Sequence, residues 1–133
     1  DAIRNIIDQH PHLRVVIAHL CQPNPAAEQD EVLWKAWKEQ ITLAQHPYVW
    51  LDTAALPAYL VEEGYPFPSA RRYIQMAVDL VGADKIMWGT DVPGLLTVAT
   101  YRQLVDLGWA HTDFLSSEDQ EKIMGLNAAE VYG

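Results

Sequence analysis

An α/β fold built on a parallel sheet is what this sequence predicts, and three observations predict it. Helix-like and strand-like segments alternate along the 133 residues. The strand-like runs are short, continuously apolar and β-branched, as in strands covered on both faces. Their starts, Val15, Val49 and Lys85, lie 34 and then 36 positions apart, the length of a strand plus a returning helix.

The elements follow in order. Ala2 to His10 reads as an amphipathic helix that ends at the Pro11-His12 turn. Val15-Val16-Ile17-Ala18 is the first strand. Asp30 is placed to cap a helix with Leu33, Trp37, Ile41 and Ala44 on its inner side. His46-Pro47 ends it, because a residue before proline avoids the helical region. Tyr48-Val49-Trp50-Leu51 is the second strand, and a Pro- and Gly-containing loop follows from Leu56 to Pro68. Ser69 is placed to cap a helix that buries Tyr73, Ile74, Ala77, Val78 and Val81, and Gly82 stops it. Lys85 to Trp88 is the third strand. A helix from Thr97 to Leu107 places Val98, Tyr101, Leu104 and Val105 inward and ends at Gly108. The last helix starts at Ser116 or Ser117, with Ser117 and Gln120 fitting a capping box and Ile123, Met124, Ala128 and Val131 inward.

Two architectures accept this order, an open doubly wound sheet and a closed barrel. Three parallel strands alone leave edges exposed. The expectation is therefore a single C-terminal part of a larger domain, with the upstream strands missing from residues 1–133. Exposed strand edges also favour association into a homo-oligomer.

Composition excludes several function classes. Nine Lys and Arg stand against eighteen Asp and Glu, for a net charge of −9. The one adjacent basic pair, Arg71-Arg72, is no nucleic-acid footprint. No run of about eighteen apolar residues occurs, so no membrane span is expected. The single cysteine, Cys21, forms no internal disulfide, which suits a cytoplasmic location. A small-molecule substrate is the partner class that remains.

In a parallel α/β fold, functional side chains gather at the C-terminal ends of the strands. His19, Asp52-Thr53 and Thr90-Asp91 follow the three strands. His19 reads either as a metal ligand through a neutral ring nitrogen or as a core histidine bonded to a carbonyl. Asp91 reads either as a metal ligand that accepts a proton from metal-bound water or as a cap for the loop Val92-Pro93-Gly94. Asp52 satisfies loop N–H groups or serves the chemistry. Cys21, two residues past His19, lines the presumed pocket without a visible activating partner. Trp88 is placed toward the mouth, and Tyr65-Pro66-Phe67-Pro68 forms either a lid or a packed surface loop. His10, His12 and His46 flank prolines at the opposite end, and His111 lies between the last two helices. None of these four is assigned a chemical role. A nucleotide-binding reading would need a Gly-rich loop after a strand, and no strand end offers one.

Four stretches carry a resemblance. His10 to His19, Tyr48 to Thr53, Lys85 to Pro93 and Ile123 to Gly133 occur here in that order. They are similar to the strands and terminal helix of the amidohydrolase-related family that includes aminocarboxymuconate-semialdehyde decarboxylase, resorcylate decarboxylases and dicarboxylate lactonases. The resemblance implies a partial (β/α)₈ TIM-type barrel, here its last three parallel strands with their helices and a C-terminal helix. It implies that His19 and Asp91 bind a divalent metal, Zn²⁺ or a similar ion, and that Asp91 is the catalytic general base. It implies a hydrolase or decarboxylase acting on small carboxylated compounds. Two family features have no counterpart here. The paired histidines of the first barrel strand would lie upstream of Asp1, and Thr53-Ala54-Ala55-Leu56-Pro57 holds no histidine after the second strand. The isolated chain is therefore expected to be inactive, and the alternative is a catalytically degenerate, metal-free binding or assembly protein.

Overall fold

The computed structural model describes residues 2–133. Three parallel strands lie in the order β1 (Val15–Ile17), β2 (Val49–Asp52), β3 (Ile86–Met87). Val15 faces Val49, and Leu51 faces both Ile17 and Ile86, so the register is continuous across the sheet. The order of strands in space equals their order in sequence, as one-directional βα winding requires.

The helices are α1 (Ala2–Gln9), α2 (Pro25–Gln29), α3 (Glu31–Ile41), α4 (Leu56–Tyr59), α5 (Ser69–Val81), α6 (Tyr101–His111), α7 (Ser117–Glu121) and α8 (Asn127–Tyr132). The sheet has two differently used faces, because successive side chains in a strand alternate. Val15, Ile17, Val49, Leu51 and Ile86 pack into the main core with Trp37, Ile41, Tyr73, Ile74 and Ala77 from α3 and α5. Val16, Trp50 and Met87 point the other way and meet Ala128 and Val131 of α8. Among the described residues, the apolar cover of the second face comes from the C-terminal helix.

Side-chain caps explain where four of the eight helices begin, α2, α3, α6 and α7. The Asp30 carboxylate accepts the N–H groups of Val32 and Leu33 at 2.9 and 3.1 Å, as the sequence predicts. Gly82 ends α5 with φ 84° and donates its N–H to Val78 at 2.8 Å. Elsewhere the boundaries differ from expectation. Ser69 is not the cap of α5; its N–H donates to Glu63 Oε2 at 3.0 Å and Pro68 precedes the helix. The reciprocal capping box belongs to Thr100 and Gln103 at the start of α6. Ser116, accepting from the Asp119 N–H at 3.2 Å, caps α7. Gly108 does not stop α6, which continues to His111. Its missing side chain makes room for Trp88: a Cβ at 108 would lie 2.6 Å from the indole Nε1. Trp88 is consequently packed, partly buried, against the core.

Two expected inward positions are outward. Leu33 and Tyr101 are 53% and 56% exposed, and Trp34 stacks on Trp37 at 4.4 Å in place of Leu33. The loop from Leu56 to Pro68 contains α4 and a short turn at Val61–Glu63. Phe67 is buried in the core there while Tyr65 is exposed, so the segment is half packed rather than free.

Candidate functional site

His19 follows β1 directly, but not as an extension of it. Residues His19, Leu20, Cys21 and Gln22 have φ values of 61°, 47°, 56° and 58°. Left-handed conformation costs a non-glycine residue roughly 1–2 kcal/mol through crowding of Cβ against the next carbonyl. Within the turn the Gln22 N–H donates to the His19 carbonyl at 2.7 Å, and two contacts from outside hold it. The His19 N–H donates to Asp52 Oδ1 at 2.8 Å, and the Trp37 indole donates to the Leu20 carbonyl at 2.9 Å. Asp91, after β3, also has a left-handed φ of 56°. Backbone held in such regions clusters at sites where a side chain must be aimed.

The two side chains meet. His19 Nε2 lies 3.8 Å from Asp91 Oδ1, with side-chain exposures of 28% and 47%. His19 Nδ1 is 3.1 Å from the Tyr59 hydroxyl. With Nδ1–H donating to that oxygen, the Nε2 lone pair faces Asp91. Burial, then the Asp91 charge, pushes the Tyr59 phenol above its ordinary pKa, so Tyr59 stays protonated and retains a hydrogen to donate. Tyr59 was not singled out from the sequence. It lies on α4, in a stretch whose Pro and Gly residues signal only a loop, and no local pattern marks it.

Asp52 takes the hydrogen-bonding role foreseen for a strand-end aspartate, accepting the N–H groups of His19 and Ala54 at 2.8 and 3.1 Å. Burial, then the Asp52 charge, pushes the Cys21 thiol up to about 12, which keeps it protonated at neutral pH. His10, His12 and His46 lie at the other end of the strands, where His12 packs edge-on against Tyr48 at 5.6 Å. His111 is buried in the last turn of α6, its Nε2 2.8 Å from the Pro66 carbonyl. It anchors the Tyr65–Pro68 stretch.

The donor set fits part of a zinc site. One neutral imidazole nitrogen and one carboxylate oxygen are ordinary zinc donors at about 2.0–2.2 Å. Two such donors at tetrahedral angles stand about 3.4 Å apart, close to the 3.8 Å seen here. Among the described residues, no group of three or more His, Cys, Asp or Glu side chains gathers around a common point.

A sequence profile of the amidohydrolase family matches residues 1–133. The chain belongs to the amidohydrolase family. Its fold is that of an amidohydrolase barrel in part. An amidohydrolase from Burkholderia multivorans with bound HEPES superposes with a TM-score of 0.83 at 22% identity, over 98% of this chain and 48% of that one. A second crystal form of that protein, with bound Zn, gives 0.79 at 21% identity, over 98% and 47%. A protein from Pseudomonas putida described as a candidate 2-pyrone-4,6-dicarboxylic acid hydrolase gives 0.73 at 22% identity, over 98% and 48%. A 2,6-dihydroxybenzoate decarboxylase with bound 2,6-dihydroxybenzoate gives 0.59 at 18% identity, over 96% and 36%. This amidohydrolase chain thus spans about half the length, or less, of the solved structures it matches. No curated protein matches it. No described helix is long and apolar enough to cross a membrane.

Proposed function

We propose that residues 1–133 form the C-terminal part of a metal-dependent amidohydrolase-type enzyme, a hydrolase or decarboxylase of small carboxylated compounds. Upstream strands complete its barrel, and His19 and Asp91 are two ligands of a divalent ion, Zn²⁺ by preference. The observation that carries this reading is the 3.8 Å approach of His19 Nε2 to Asp91 Oδ1 from opposite strands of the sheet. Both side chains are aimed by left-handed backbone. The zinc and the carboxylated aromatic bound in relatives support the metal and the substrate class. The single, partly buried thiol accords with a reducing cytoplasm.

A divalent ion at this position supplies Lewis acidity toward water or a substrate oxygen. The chain's own residues do the rest. Tyr59 fixes the His19 tautomer by accepting from Nδ1–H, which leaves Nε2 free to bind. Asp91, half exposed at the rim, accepts a proton at its carboxylate as general base. The Tyr59 O–H donates to a substrate oxygen. Two ligands are too few for tight zinc binding, so the isolated chain is inactive and the activity belongs to the complete barrel.

The lack of a third ligand among the described residues and of a histidine after β2 favour a second reading, a metal-free binding homologue. Metal content of the complete-barrel protein and of its His19→Ala and Asp91→Asn variants separates the two. One equivalent of bound Zn²⁺, lost in His19→Ala, and turnover abolished in Asp91→Asn support the enzyme. A metal-free protein after gentle purification that takes up no added Zn²⁺ ends that reading in favour of the second.

A further inference from the structure

The turn after β1 sends His19 away from where its strand would have put it. Alternation along β1 places position 19 on the same face as Val15 and Ile17, and that face is packed against the helices. An extended His19 would point its ring into the core side. Four successive left-handed residues, none of them glycine, redirect it toward Asp91. Such a run persists only where the surroundings over-determine it.

We infer that Asp52 is the positioning residue of this site: its carboxylate, accepting the His19 N–H at 2.8 Å, locks the left-handed turn and thereby aims Nε2 across the sheet. Asp52 is well placed for this. It ends β2, the central strand, between the strands that carry His19 and Asp91. The Ala54 N–H, donating at 3.1 Å, holds the same carboxylate oxygen in place. Trp37, buried beneath the turn, fixes the next carbonyl, that of Leu20, at 2.9 Å. The contacts of the Asp52 carboxylate are with backbone N–H groups, those of His19 and Ala54. It acts through the backbone of its neighbour, and the inference rests on the reading of His19 as a ligand.

The test uses the complete-barrel protein with Zn²⁺ as the probe, its affinity read by competition with a chromophoric chelator. Asp52→Ala removes the acceptor, and the loss expected for an outer partner of a ligand is about 10–100-fold. Asp52→Asn keeps an oxygen in the same place and recovers most of that loss. Trp37→Phe keeps the ring, loses the donor and moves affinity in the same direction by less. In the metal-free protein, exchange of the His19 amide accelerates about tenfold or more in Asp52→Ala and stays slow in Asp52→Asn. An Asp52→Ala protein with wild-type Zn²⁺ affinity, or an Asp52→Asn protein as weak as Asp52→Ala, overturns the inference. Should Asp52→Ala not fold, Asp52→Asn and Trp37→Phe still decide it: affinity unchanged in Trp37→Phe or lost in Asp52→Asn counts against the clamp. His19→Ala is the separate control. Unchanged Zn²⁺ affinity there removes the ligand reading itself, while the amide exchange continues to report on the clamp alone.

Discussion

Asn127 donates from Nδ2 to the carbonyl of Ile86 at 2.8 Å, and to that of Ala83 at the same distance. Its side chain is buried, so one amide group ties the C-terminal helix to both ends of the turn that leads into β3. Here the terminal-helix motif acquires a physical reason. Both carbonyls lie beside a short strand, and an unpaired buried carbonyl costs about 1–3 kcal/mol. Asn127→Ala is expected to destabilise by about 2–3 kcal/mol, a fall in Tm of about 6–12 °C for a chain of this size. Thermal unfolding followed by circular dichroism checks it. A fall below about 2 °C would mean that the packing of Val131 and Ala128 and the Arg14 hydrogen bonds to the Glu130 and Val131 carbonyls hold the helix without it.

Gly108 permits the close approach of α6 to Trp88. A methyl group there would stand 2.6 and 2.7 Å from the indole Nε1 and Cδ1 and 2.8 Å from the Met124 methyl. Overpacking of this kind costs about 1–3 kcal/mol. The better helix propensity of alanine returns up to about 1 kcal/mol, so the clash wins. Gly125 is the contrast, with open space around its position. Denaturant midpoints should fall for Gly108→Ala and rise or hold for Gly125→Ala. Equal effects at the two positions would show that packing is not the cause.

These two residues also mark what the sequence reveals and what it hides. The three strands are legible because continuous apolar, β-branched runs fit little else, and their spacing dictates parallel pairing. Asp30 and Gly82 are legible because local chemistry alone fixes a cap. Gly108 is misleading, since a glycine late in a helical pattern signals a stop equally well as a close contact, and only Trp88 distinguishes the two. Leu33 is misread for a similar reason: Trp34 offers the larger apolar surface one position away and takes the inner side by stacking on Trp37. At the site, His19 and Asp91 are visible as strand-end polar groups. Tyr59 and the left-handed run are not, because they depend on contacts 40 positions apart in the chain and on backbone that no residue type there advertises.

His111 sets a pH dependence of stability. Burial is the main cause that holds its pKa below the ordinary value of 6.5, with Arg71 acting the same way and the Pro66 carbonyl, Asp113 and Glu63 opposing. The folded state therefore binds this proton less readily than the unfolded state. The contribution is fully present above about pH 6.5 and is lost as pH falls from there through the lower folded value. Urea unfolding between pH 5 and 7.5 should show stability rising with pH. His111→Gln should flatten that part of the curve, and an unflattened curve would place the dependence elsewhere.

Tyr59 offers the last test, because its hydroxyl and its ring separate cleanly. Tyr59→Phe keeps the ring that lies 6.3 Å from the imidazole centroid and removes only the oxygen that accepts from Nδ1. Without it the imidazole is free to carry its proton on Nε2, the nitrogen that faces Asp91, and on the proposed reading of His19 as a ligand a metal must displace that tautomer before binding. In the complete-barrel protein, Zn²⁺ affinity should fall about 10-fold or more while Tm changes little, since the hydroxyl is partly exposed and the ring packing survives. Turnover at saturating Zn²⁺ should fall further if the Tyr59 O–H also donates to a substrate oxygen. Affinity lost with turnover retained would confine Tyr59 to orienting His19, and affinity unchanged would show that the imidazole takes its tautomer from another partner.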